Sequence, residues 1–221
     1  MATLDLQEQE QLDNLKAFWQ RWGNLITTLL TLALLAFAGW NGWTWWQREQ
    51  GLKASLLYDE VERAAEAKDI DKTLRMWQQM KEQMPRATFT THAALLSAQV
   101  AFDGGKADAA LSALEWAAEQ AKPQALQDLA LLRLAAVHLE AQRYAPAEAA
   151  LAKIRSAAYA GLVADKRGDL AQLQEQADKA REHYQVAYLA LPEEQPYRQF
   201  VEAKLVALGV DVSGLKAKEG K

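Results

Sequence analysis

Three histidines, one glycine-glycine-lysine triplet and one pair of adjacent glutamates are the residues from which this chain could build a reaction centre. His92, His138 and His183 stand far apart, and none has a partner three or four residues on that would make a metal-ligand pair on a helix face. Gly104-Gly105-Lys106 ends like a phosphate loop. It lacks the spaced upstream glycine and the preceding strand that let backbone amides cradle phosphate, so it reads as a turn between helices. Glu193-Glu194 lies between Pro192 and Pro196 and reads as a solvated turn, not as a general acid with its base. There is no cysteine, which excludes disulfides, thiolate metal sites and thiol catalysis. The chain is expected not to be an enzyme and to need no cofactor.

Charge narrows the partners. Of 25 basic and 29 acidic residues, only Lys16, Arg21, Asp5, Glu8, Glu10 and Asp13 precede Gln47, so the rest is nearly neutral. That balance lacks the basic excess of a nucleic-acid binder. Alanine, leucine, glutamine and glutamate dominate, whereas glycine (11) and proline (5) are sparse, which favours an all-α chain.

The first of these helices is set by solvation. No charge interrupts the sequence between Arg21 and Arg48. Leu25 to Trp46 as a helix would be about 33 Å long, enough to cross a bilayer core. Trp19, Trp22, Trp40, Trp43, Trp45 and Trp46 bracket this run and are the expected membrane-interface residues, because an indole can bury its ring and leave its N–H at the headgroups. Residues 1–24 form an amphipathic arm and 25–46 a transmembrane anchor. Ala36-Phe37-Ala38 has the small-x-small form of a signal-peptidase site, but the arm is acidic where a signal peptide is basic, and the apolar run continues to Trp46. The expected anchor is uncleaved. Lys16 and Arg21 on one flank match Arg48 and Lys53 on the other, so flanking charge does not choose an orientation. Ala38 and Gly42 make a small-xxx-small pair of the kind common in membrane helices.

Residues 47–209 carry apolar stripes at helical spacing. Leu52, Leu56, Leu57, Val61, Ala64 and Ala65 continue the anchor's helix past Gly51 to Lys68-Asp69, and Leu74, Trp77, Met80 and Met84 make a second stripe stopped by Pro85. A third helix is expected from about Thr90 to Phe102, and a fourth through Ala110, Leu114 and Ala117 before Pro123. Aligning Thr73, Ala110, Ala147 and Ala180 gives intervals of 37, 37 and 33 residues, close to the 34-residue tetratricopeptide period. The last unit resembles that motif best. Gly168, Ala180, Tyr184, Ala187 and Pro192 stand at its positions for a turn glycine, a packing alanine, an aromatic, a second alanine and a terminal proline. The expected fold is a single transmembrane helix followed by a tetratricopeptide-like α-solenoid of about four hairpins. The segment Tyr197 to Leu208 caps its open end, and residues 210–221 form a flexible tail too polar to pack.

One segment exceeds what packing alone requires. Leu126 to Leu139 is apolar around most of its circumference, with Arg133 as its only basic residue. In the repeat register Leu131, Leu134 and Ala135 belong to the core. Leu129, Leu132, Ala136 and Leu139 would face the concave side together with Leu95 and Phe102 of the preceding repeat. These six could form a groove for exposed hydrophobic segments of partner polypeptides. Alternatively this helix is covered on both sides, by the Tyr197 helix or by the arm. His138 falls at an inward position and is expected to be buried and hydrogen-bonded.

The opening QEQEQLDNLKAFWQRWGN, the anchor ending AGWNGWTWWQ, the stretch Leu57-Tyr58-Asp59-Glu60 and the degenerate repeats together resemble the bacterial YfgM family, the ancillary SecYEG translocon subunits. The resemblance covers essentially the whole chain and is most specific in the arm and anchor. It implies an inner-membrane protein crossing once, with a cytoplasmic N-terminus and a periplasmic repeat domain. It also implies association with the membrane chaperone PpiD and a place beside SecYEG in protein export, and it carries no catalytic residues. Two other classes stay open: a repeat scaffold that assembles an envelope complex, and a cytoplasm-facing regulator that sequesters a signalling protein.

Overall fold

The structure is a computed structural model that describes residues 6–213 and 215. These residues fall into two compact units divided between Leu52 and Lys53. Helix α1 runs Leu6–Glu66, followed by α2 (Ile70–Gln83), α3 (Thr88–Asp103), α4 (Ala107–Gln120), α5 (Gln124–Glu140) and α6 (Tyr144–Leu151). A 3-10 turn at Ala157–Tyr159 leads into α7 (Ala160–Leu173), α8 (Ala177–Ala190) and α9 (Tyr197–Ala207). No strand occurs among the described residues.

In the first unit α1 is helical through the whole apolar run. Leu29, Leu35, Phe37 and their neighbours are exposed there, and no side chain of this unit covers them. Thr27, Thr28 and Thr31 return their hydroxyl hydrogens to carbonyls three or four residues back, so the few polar side chains of the run are satisfied within the helix.

In the second unit the helices pair as α1 with α2, α3 with α4, α5 with α6 and α7 with α8. The aligned residues Thr73, Ala110, Ala147 and Ala180 are all fully buried. Each first helix ends in the same turn. Lys68 (φ 54°), Gly105 (77°), Gln142 (55°) and Glu175 (61°) adopt the left-handed conformation, each five residues before the aligned position. The amide that follows each of them donates back to the helix, Asp69 to Ala64 (3.0 Å), Lys106 to Ala101 (2.7 Å), Arg143 to His138 (2.8 Å) and Gln176 to Ala171 (2.9 Å). That bond closes the last turn and satisfies a carbonyl the helix cannot. α9 ends identically, with Gly209 at φ 78° and Val210 donating to Leu205 at 3.0 Å. The expected capping helix is therefore the first helix of a fifth unit, 34 residues on in register, and it buries Val201 and Leu205 against α8.

Complementary sizes hold each hairpin together. Twelve residues before and four after the aligned position stand Val61 and Trp77, Ala98 and Leu114, Ala135 and Leu151, and Gly168 and Tyr184, all buried. Gly168 is not a turn glycine: it lies inside α7, and a Cβ there would sit 2.4 Å from the Tyr184 ring. The absent side chain is the space the tyrosine fills.

The core divides in two. One cluster runs from Val61 to Leu151, the other from Ala164 through Leu205 to Val212. Polar ties link the elements around that division. Arg167 of α7 makes a bidentate pair with Glu148 of α6 (2.7 Å), and the buried Asp128 of α5 accepts the amides of Arg155 and Ser156 (3.3 and 2.9 Å). The expected polar tail is corrected in part. Val210, Val212 and Leu215 pack on the second cluster, because an i, i+3 apolar pair reaches the end of the core left open beyond α9. Residue 214 and residues 216–221 of that tail lie outside the described residues.

Candidate protein-binding groove

The first helices of the hairpins lie side by side, and their shared face carries two hollows flanking α3. The hollow between α3 and α5 has a volume of about 350 Å³. Its floor is Ala98, Phe102, Leu114, Ala136 and Val137, and Gln99, Arg133 and Glu140 stand around it. Across α3 a wider hollow of about 600 Å³ is bordered by Glu62, Ala65, Glu66, Lys68, Ile70, Leu96, Gln99, Val100, Asp103 and Gly104. Gln99 borders both.

Of the six residues expected to form the groove, the structure brings Phe102 and Ala136 together in the α3–α5 hollow. Leu129 and Leu132 are half-buried against the first core cluster, outside that lining. Leu95 and Leu139 are only 4% and 5% exposed and offer a partner almost no surface. Leu95 belongs to the first core cluster, and Arg133 of the next first helix donates to its carbonyl at 3.2 Å. Single-helix periodicity cannot show what a neighbouring hairpin covers. Nor does the Tyr197 helix cover α5, since the Tyr197 hydroxyl is bonded to Asp165 of α7. Gln99 and Glu140, the polar members of the rim, lie outside the apolar stripes and so leave no trace in the hydrophobic pattern.

The candidate chemical residues do not converge. His92 packs with Tyr58 and Phe89 (6.2 and 6.5 Å between rings). His138 is buried where the other hairpins have Ala64, Ala101 and Ala171, and its Nδ1 has no hydrogen-bond partner among the described residues, contrary to expectation. Burial first, and the Arg143 charge second, push its pKa below the usual histidine value and keep the ring neutral. Gly104-Gly105-Lys106 is the α3–α4 turn, with the Lys106 ammonium 2.6 Å from Asp71. Glu193 stands 3.5 Å from Arg198 in an exposed turn. Among the described residues, no group of three or more histidines and acids is placed to hold a metal.

A denser polar cluster, unforeseen in the sequence, joins α7, α8 and α9. Lys204 donates to Asp165 (2.7 Å) and Asp169 (2.6 Å), Lys166 to Asp169 (2.9 Å), Tyr184 to Asp169 (2.8 Å) and Tyr197 to Asp165 (2.7 Å). Burial and the hydrogen bond to Asp165 push the Tyr197 phenol up to about 12. Both carboxylates are fully engaged, so the cluster ties helices together and leaves no free base.

In the first unit Trp19, Trp22, Trp40, Trp43, Trp45 and Trp46 are all exposed, from 45% to 70%, and Trp43 and Trp46 lie 5.4 Å apart. The helix that carries them is long and apolar enough to cross a membrane.

A family model described as a tetratricopeptide repeat-like domain matches residues 16–210. The chain belongs to that family. Its hairpins, buried small residues and recurring turns are those of a tetratricopeptide-like protein that carries a long apolar N-terminal helix. The chain is also similar to the ancillary SecYEG translocon subunit of Neisseria gonorrhoeae (strain ATCC 700825 / FA 1090), at 29% identity over 204 residues, covering 92% of this chain and 98% of the relative. Such extended coverage includes both the apolar helix and the repeats.

Proposed function

We propose that this chain is a membrane-anchored, non-enzymatic scaffold that binds polypeptides beside a Sec translocon and assists the export of newly made proteins. The hollow between α3 and α5 carries the protein-binding part of this reading, because Phe102 and Ala136 leave apolar surface open on a face where neighbouring helices could have closed it. The translocon part is supported by the likeness to the gonococcal subunit. In this reading Leu25 to Trp46 crosses the inner membrane, the six tryptophans mark its two interfaces, the N-terminus is cytoplasmic and the repeats face the periplasm. A PpiD-type chaperone is the expected companion.

The test is a pull-down of the full chain from membranes under conditions that keep the bilayer intact, read by mass spectrometry, for the natural sequence and for Ala136→Glu. Translocon subunits and a membrane chaperone should be recovered with the natural sequence and depleted with the variant. Recovery of one unrelated envelope protein in stoichiometric amount would replace this reading with that of an assembly scaffold. Alkaline phosphatase fused after Lys221 should be active; an inactive fusion would place the repeats in the cytoplasm and favour a regulator. Leu139, although expected in the groove, is unsuitable for such a test because its burial makes Leu139→Glu a folding defect.

A further inference from the structure

Three successive first helices end on an acid. Glu66 is the last residue of α1, Asp103 of α3 and Glu140 of α5. Each stands seven residues before its aligned position, at Thr73, Ala110 and Ala147, so the three occupy one register position, and each is exposed. A helix's final carbonyls carry partial negative charge, so a carboxylate there is placed against the dipole. None of the three has an ion-pair partner among the described residues. An arrangement that works against stability and repeats in register is expected where a partner uses it. Position supplies the second observation. Glu140 rims the apolar hollow over Phe102 and Ala136, and Glu66 and Asp103 rim the hollow on the other side of α3. The two hollows are lined by four acids, Glu62, Glu66, Asp103 and Glu140, against two cations, Lys68 and Arg133, and Arg133 is already engaged with the Leu95 carbonyl.

From this charge pattern we infer that the groove takes a polypeptide segment whose apolar side chain is flanked by lysines or arginines. The apolar group seats between Phe102 and Ala136, and the cations face Glu66, Asp103 and Glu140. This rests on the protein-binding reading and specifies its ligand. Packed helices lie about 8–10 Å apart and an extended chain advances about 3.3 Å per residue, so cations recurring every third residue match the row of acids. The row stops at the fourth hairpin, where Leu173 holds the position.

The test uses the full chain in phosphatidylcholine nanodiscs and a labelled decapeptide with three lysines, one at every third residue, and a leucine between the second and third of them, followed by fluorescence anisotropy. This peptide should bind about tenfold more tightly than one with glutamine for lysine, and the advantage should fade at high salt. Combining Glu66→Gln, Asp103→Asn and Glu140→Gln should remove the same factor while leaving Tm equal or higher, which separates lost binding from lost folding. Equal affinity for the lysine and glutamine peptides, or unchanged binding by the triple variant, overturns the inference. If both peptides bind alike and Ala136→Glu abolishes both, the groove stands and only its charge preference falls. If neither peptide binds and Ala136→Glu recovers the same partners from membranes, the groove reading itself falls.

Discussion

Gly168 and Tyr184 show how one residue's size is fixed by another's. Each of the other hairpins pairs a larger first-helix residue with its own partner, Val61 with Trp77, Ala98 with Leu114 and Ala135 with Leu151. Gly168→Ala puts a Cβ 2.4 Å from a buried ring that is also hydrogen-bonded through its hydroxyl to Asp169 and Gln172, so the ring cannot retreat. The variant should lose about 1–3 kcal/mol in urea unfolding. Adding Tyr184→Leu recreates the alanine–leucine pairing of the middle hairpins and should recover part of the loss, which an effect of helix propensity alone would not allow.

The unit of construction is the first helix with its left-handed turn. Lys68, Gln142 and Glu175 hold positive φ with ordinary side chains, whereas Gly105 and Gly209 do so without a Cβ. Gln142→Gly and Glu175→Gly should each raise unfolding stability by about 0.5–1 kcal/mol, the relief of the Cβ clash exceeding the entropy glycine adds to the unfolded chain. A second element-level device is the tie from α7 to α9. Burial alone would push Asp169 up, but hydrogen bonds and charges from Lys204 and Lys166 hold it below the ordinary carboxylate value. Burial would pull Lys166 down, and Asp169, Tyr197 and Asp165 together more than offset it. The stabilisation from Asp169 is present above its unfolded pKa and fades as pH falls through the depressed folded value. That from Lys166 is complete below its unfolded pKa and fades as pH rises through the elevated one. Lys204→Met should therefore cost about 1.5–3 kcal/mol at pH 7, and the difference from the natural sequence should shrink as pH falls through the depressed folded value of Asp169. A difference independent of pH would assign Lys204 to packing alone.

At the scale of the whole molecule, one part of the chain is a long apolar helix and the rest is a tetratricopeptide-like repeat domain. Six exposed tryptophans bracket the apolar run, while Trp77 is 1% exposed in the solenoid with Trp116 packed edge-on at 6.2 Å. In reconstituted bilayers, brominated lipids should quench the six anchor indoles most strongly when the bromine lies near the headgroups. A variant with all six changed to phenylalanine should retain solenoid emission that these lipids do not affect. Uniform quenching at all depths would mean that the tryptophans do not mark the interfaces.

What the sequence determined by itself is what depends on local solvation and on repetition along the chain. A charge-free run long enough for a bilayer, its tryptophan borders and a period near 34 residues are properties of consecutive residues, and the aligned Thr73, Ala110, Ala147 and Ala180 fall at equivalent buried positions. The lining of the α3–α5 hollow was only half legible. Phe102 and Ala136 could be placed by register, but Leu95 and Leu139 are removed from solvent by burial that a helix's own periodicity does not record. The α7–α9 tie joins Asp165 to Lys204 across 39 residues, and the fifth turn at Gly209 closes a helix that composition alone marks only as a cap. Those features depend on which faces meet in space, and only the tertiary structure, by setting helix against helix, decides that.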